Sequence, residues 1–101
     1  MNTHSFAIPH PEVIPTKLPN CETVLLHLGT QTYYSLNETG SRIWELMSKG
    51  VPLAQIGHAL ENQYEVSLDQ AQQYVIALIT ELAAEKLVSL TSENHKEIER
   101  R

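Results

Sequence analysis

Residues 23–50 read TVLLHLGTQTYYSLNETGSRIWELMSKG. Two short runs of β-favouring residues, 23–28 and 31–36, flank Gly29-Thr30. A two-residue link headed by glycine predicts a tight hairpin, because glycine reaches positive φ without a Cβ clash. The second run passes straight into a helix at Asn37. An asparagine there can accept a hydrogen bond from a free amide of the first helical turn. Glu38 adds negative charge at the positive end of the helix dipole. Gly40 lets the helix approach the hairpin closely. Ile43, Trp44, Leu46 and Met47 supply an apolar stripe, and Gly50 a stop. Strand alternation puts Val24, Leu26 and Leu28 on one face of the first run. Tyr34 and Leu36 share one face of the second, and Tyr33 and Ser35 the other. Leu36 leads into the helix, so its face is the core face and Tyr33 lies outside.

Outward from this stretch, residues 1–20 hold Pro9, Pro11, Pro15 and Pro19. Proline fixes φ and removes a donor, which excludes a helix or central strand there. An extended edge segment over 13–18 fits, with residues 1–12 as a flexible N-terminus and 1–8 its most mobile part. C-terminal to the hairpin, a second helix is expected over 52–63, with Pro52 at its first position. Leu53, Ile56, Ala59, Leu60 and Tyr64 form its apolar stripe. A third helix is expected over 68–86, opened by Ser67 and Gln70 as a capping box. Its apolar face is Ala71, Tyr74, Val75, Leu78, Ile79 and Leu82, and Trp44, Tyr64 and Tyr74 are taken as core aromatics. Residues 88–90 suggest a short extended piece. The domain spans 13–90, and 91–101 is polar enough to be a disordered tail. The fold class is α+β: an N-terminal antiparallel sheet of two or three strands, then three helices. That order suits a winged-helix-like arrangement.

Composition narrows the function. The 101 residues make one domain, with a formal net charge of −5. Residues 22–90 carry only Arg42, Lys49 and Lys86 as fixed cations against eight carboxylates. Such a surface repels phosphate backbones, so nucleic acid is a poor partner. The lone cysteine, Cys21, allows no intrachain disulfide, which suits a cytoplasmic location. No apolar run reaches the ~20 residues of a membrane span.

Catalytic chemistry finds no foothold. His4, His10, His27, His58 and His95 are scattered, with no pair at helical i, i+4 spacing, so no metal is expected. Cys21 could in principle pair with a histidine, but a single thiol in a proline-bounded loop reads as an ordinary small side chain. Gly29, Gly40, Gly50 and Gly57 do not cluster into a phosphate loop. Glu61/Glu65 and Glu81/Glu85 read as solvated helix surface. No catalytic residue and no cofactor are expected. The tyrosine pair is different: adjacent strand residues point to opposite faces, so both cannot fill one core. An exposed aromatic on an edge strand is a ready anchor for an added peptide strand.

The string Tyr33-Tyr34-Ser35-Leu36-Asn37-Glu38-Thr39-Gly40, after an apolar hairpin and before an amphipathic helix, resembles the PqqD family. The resemblance continues through Ile56, Tyr64-Glu65-Val66 and Leu87-Val88. Members, also called RiPP recognition elements, bind the leader segment of a ribosomally made precursor peptide. They present it, without catalysis of their own, to a modifying enzyme. The resemblance implies a winged-helix-like fold and strand addition along Gln31, Thr32, Tyr33, Tyr34 and Ser35. From the third helix, Gln70, Gln73, Tyr74 and Ala77 are the candidate contacts. It implies as partner a radical S-adenosylmethionine enzyme, as in pyrroloquinoline quinone synthesis, or a leader protease, as in lasso-peptide maturation. The string is nearer to stand-alone lasso-type members. An open edge could also pair with a second copy, giving a homodimer.

The competing reading is a winged-helix DNA-binding regulator, with the third helix as reader. That helix carries Asp69, Glu81 and Glu85 against a lone Lys86, where a DNA reader clusters Lys and Arg. Anisotropy of labelled duplex DNA at low salt should therefore stay flat through about micromolar protein. Salt-sensitive binding in that range would favour the regulator.

Overall fold

A computed structural model describes residues 6–91. Five strands and three helices follow one another: β1 (Phe6–Pro9), β2 (Val13–Lys17), β3 (Thr23–His27), β4 (Thr32–Leu36), α1 (Glu38–Ser48), α2 (Leu53–Tyr64), α3 (Leu68–Ala84) and β5 (Val88–Thr91). The strands make two antiparallel sheets, β2-β3-β4 and β1-β5. The α+β class and the three-helix order are as anticipated. The second sheet is an addition. Phe6–Pro9, assigned to the flexible N-terminus, pairs with the extended piece after α3. Ala7 and Val88 are buried in that pairing, which is what holds β1 in place. The polar tail beyond Thr91, and residues 1–5, lie outside the described residues.

Register shows which side of the hairpin is the core. Across the three-stranded sheet the rows are Val13–His27–Thr32, Pro15–Leu25–Tyr34 and Lys17–Thr23–Leu36. Thr23, Leu25, His27 and Leu36 are buried, so these rows face the helices. Val24 and Leu26 share the opposite, outward face, beside Ile14 and Tyr33, and Leu28 is exposed in the link beyond the strand. Three apolar side chains at alternate positions thus lie away from the core. A mixed set containing a threonine and a histidine fills it instead.

His27 explains that choice and the shape of the link. The connection is four residues, 28–31, not two. His27 Nδ1 accepts from the amides of Gly29 at 3.1 Å and Thr30 at 3.3 Å, which winds the link around the ring. Positive φ falls on Gln31 (59°), not on Gly29. Gly29 is needed for space: a Cβ there would run into the Glu12 carboxylate and the His27 ring. The ring of His10 packs 4.5 Å from that of His27, and its Nδ1 accepts from Glu12 N at 3.0 Å. The two histidines that sequence spacing kept apart are thus neighbours. Both Nδ1 lone pairs are occupied by backbone donors, so they are not free for a metal. Among the described residues no three His, Cys, Asp or Glu side chains converge.

The helices follow their caps. Asn37 Oδ1 accepts from Gly40 N at 2.8 Å and starts α1; Gly50, at φ 85°, follows its end. Pro52 stands one position earlier than expected, as the cap of α2, and Glu65 at φ 56° ends that helix. Ser67 Oγ accepts from Gln70 N at 3.1 Å and opens α3, which stops two residues short of the expected end. Gly57 lies under Gln72, whose amide donates to Ala54 O at 2.9 Å, bringing α2 and α3 into close contact. Ile43, Trp44 and Met47 of α1 join Leu53, Ile56 and Leu60 of α2 and Val75, Ile79 and Leu82 of α3 in one core. No described helix is long and apolar enough to cross a membrane.

Trp44 is 6% exposed within this core. Trp44→Ala should cost about 3–5 kcal/mol, the usual range for emptying a large aromatic site. Urea denaturation would measure it; an unchanged midpoint and slope would show that the indole contributes nothing.

Candidate functional site

The two edges of the β2-β3-β4 sheet are unlike. β2 carries Pro15, which has no amide hydrogen, and Lys17, which brings charge. Both are devices that discourage strand pairing. β4 reads Thr-Tyr-Tyr-Ser-Leu, with neither. Among the described residues β4 pairs only with β3, so its outer backbone groups are open to another strand.

Helix α3 runs beside this open edge in the opposite direction. At the C-terminal end of β4, the Tyr74 hydroxyl donates to Asn37 Oδ1 across 3.4 Å. Towards its middle, Tyr34 and Glu81 face one another across one groove. Seven helical residues separate Tyr74 from Glu81, about 10 Å, and three extended residues separate Asn37 from Tyr34, again about 10 Å. Helix wall and strand edge therefore keep step. Between them lies a groove of about 170 Å³, lined by Tyr34, Leu36, Gly40, Tyr74, Leu78 and Glu81 among others. Tyr74 also borders a larger cleft of about 580 Å³ with Leu60, Tyr64, Val66, Gln70 and Gln73. Tyr74 is the wall the two hollows share; the larger is mostly apolar, the smaller evenly polar and apolar.

The electrostatics of the groove are one-sided. Burial pushes the Tyr34 phenol up to about 12, helped by the nearby carboxylates of Glu81 and Glu85. Burial likewise raises Tyr64, and Glu38 adds to it. Neither Glu81 nor Glu85 forms an ion pair among the described residues. Arg42 is engaged elsewhere, with Glu45 at 2.8 Å and Gln63 at 3.3 Å.

Of the residues singled out in the sequence, Thr32, Tyr33, Tyr34 and Ser35 lie on the open edge. Gln31 precedes it, as a left-handed link residue. Tyr33 is 73% exposed on the outward face, so its backbone but not its ring borders the groove. Tyr34 points the other way, towards α3. Gln70, Gln73 and Tyr74 line the larger cleft, and Ala77 lines neither hollow. Tyr74 is 42% exposed, not a core residue, because α3 offers it to the edge strand instead of to α2. Sequence reasoning missed Leu78, Glu81 and Val66. Leu78 and Glu81 follow Tyr74 at four and seven residues, the helical spacing of one face. That stripe was visible, but without the place of β4 it had no meaning.

The PqqD profile, described as coenzyme PQQ synthesis protein D, matches residues 22–88. Two solved structures share the fold. One is TbiB1 in complex with the TbiA(beta) leader peptide, with a TM-score of 0.76 and 31% identity, covering 80% of this chain and 93% of that one. The other is a lasso peptide synthetase B1 complexed with the leader peptide, with a TM-score of 0.77 and 25% identity, covering 82% of this chain and 96% of that one. No curated protein matches.

The raised Tyr34 phenol has a consequence for stability. A pKa higher in the folded chain than in the unfolded one favours folding while the phenol stays protonated. That contribution is whole below about 10 and is lost as pH climbs towards about 12. Ultraviolet titration should show one tyrosine ionising near pH 12, absent in Tyr34→Phe. The variant should lose less stability than wild type between pH 10 and 12. A titration of Tyr34→Phe superimposable on wild type would contradict this placement.

Proposed function

The chain belongs to the PqqD family, and on that premise we propose that it captures the leader segment of a ribosomally made precursor peptide. The peptide adds to β4 as a fourth strand and is presented to an enzyme that acts on it. The single observation that carries this is the unguarded β4 edge, facing a groove walled by α3. Main-chain hydrogen bonds to an edge strand need no particular side chains, so they supply affinity broadly. Every second peptide residue then faces α3, and the groove selects among those. The sheet is antiparallel throughout, and antiparallel pairing is the slightly more stable kind. An antiparallel peptide runs alongside α3, with its N-terminal part at the larger cleft and its C-terminal part leaving past Thr32.

The role is non-catalytic and cytoplasmic. Chemistry on the precursor falls to a partner, a leader protease or a radical S-adenosylmethionine enzyme. Similarity to two proteins each solved with a leader peptide, one of them a lasso peptide synthetase B1, favours the protease. The DNA-reading alternative would need α3 to present cations, and its groove side presents Glu81.

The test is titration of labelled synthetic leader peptides, taken from short reading frames flanking that of this chain. Binding should slow hydrogen exchange at the amides of residues 32–35. Tyr33→Pro removes one edge donor while keeping the ring's outward place empty of contacts. It should weaken binding at least about fivefold, the worth of roughly 1 kcal/mol for one lost hydrogen bond, with helical circular dichroism unchanged. Wild-type affinity in Tyr33→Pro, with no exchange protection on β4, would move the site off the edge.

A further inference from the structure

The groove has an acidic wall at one end only. Its apolar part is made by Leu36, Leu78 and Tyr74, and Tyr74 also borders the larger cleft with Leu60 and Val66. At the other end Glu81 lines the groove beside Tyr34, with Glu85 one turn further along α3. Both carboxylates belong to exposed residues and neither has an ion-pair partner among the described residues. Their nearest cation in sequence, Lys86, follows the end of the helix at φ 62° and pairs with neither. The described chain holds nine carboxylates and four fixed cations, and Lys17, Arg42 and Lys49 cluster instead around Glu45. A strand laid on β4 would narrow the water around Glu81, which strengthens any charge it meets.

The register of such a strand can be laid out. On β4, Leu36, Tyr34 and Thr32 face inward, and an added strand places its own inward residues opposite them. Antiparallel, a residue opposite Leu36 is followed two positions later by one opposite Tyr34. The first meets Leu78 and Tyr74; the second meets Glu81.

Resting on the peptide-binding reading above, we propose that the peptide this groove takes carries a lysine or arginine opposite Tyr34, two residues after an apolar one opposite Leu36. The cation pairs with Glu81, and Glu85 adds to the attraction. The apolar residue supplies burial, and the charge fixes register. A one-residue slip would turn the cation to the outward face and lose the pairing. A two-residue slip would bring it against Leu78.

The experiment is selection of a random 16-residue display library on the full-length chain at low salt, repeated on Glu81→Gln/Glu85→Gln. Wild-type binders, aligned on their apolar positions, should show Lys or Arg two residues after an apolar one. The variant's binders should not. For one wild-type binder, Lys→Gln in the peptide and Glu81→Gln in the chain should each weaken binding about two- to fivefold, the worth of a partly screened ion pair. Together they should cost little more than either alone, and the loss should shrink in high salt. Binders that add to β4 without a preferred cation, or that ignore Glu81→Gln, overturn this proposal and leave peptide binding standing. A pool with no binder to either protein counts against both.

Discussion

The side-chain oxygen of Asn37 accepts the Gly40 amide at 2.8 Å and the Tyr74 hydroxyl at 3.4 Å. Those two contacts join three elements. The first ends β4 and begins α1 within one residue, so the open edge has a fixed terminus. The second ties α3 to that terminus, and so sets where the helical wall starts. Leu36, 2% exposed, drives the same corner into the core. Gly40 completes it, since a Cβ there would sit 3.3 Å from both Leu36 and Asn37. Loss of the cap alone costs about 1 kcal/mol in ordinary helices. Here it would also free one end of the groove.

An edge that invites a strand is a hazard as well as a site. This chain handles the two edges of one small sheet in opposite ways. Pro15 and Lys17 blunt β2, while β4 stays bare and is walled by α3. The bare edge is thus accessible to a single extended segment lying between sheet and helix. Binding of that kind asks for no catalytic group. It asks for a rigid edge, and the core packed under Leu25 and Leu36 provides one.

The hairpin link shows how a buried polar side chain can outweigh local turn preference. Gly29-Thr30 has the composition of a two-residue turn. Yet His27 is 4% exposed and has a ring nitrogen to satisfy. An unpaired buried polar atom costs about 1–3 kcal/mol. Folding two link amides onto Nδ1 satisfies it and lengthens the link to four residues. The same histidine takes a core position while Val24 and Leu26 face outward. Alternation along β3 named the residues that share a face but did not say which of its faces was buried.

Local sequence was enough for the three helices, the hairpin strands and the edge segment, though not for β1. Asn37, Ser67 and Gly50 mark helix ends by hydrogen bonding and φ, which are local properties. The stripe Ile43, Trp44 and Met47, and the alternation of Tyr33 with Tyr34, follow from helical and strand periods. The motif from Tyr33 to Gly40 carried the family. Where those elements meet came from the fold. Tyr74 read as core because helical spacing cannot tell which flank of an apolar face abuts a neighbour. Leu78 and Glu81 became groove residues because α3 runs antiparallel beside β4, a relation between segments some 40 residues apart. His10 reached His27, and Phe6–Pro9 reached Val88–Thr91, by closures of the same long-range kind. Such contacts depend on the sum of packing over the whole core, and no local stretch of sequence contains that sum.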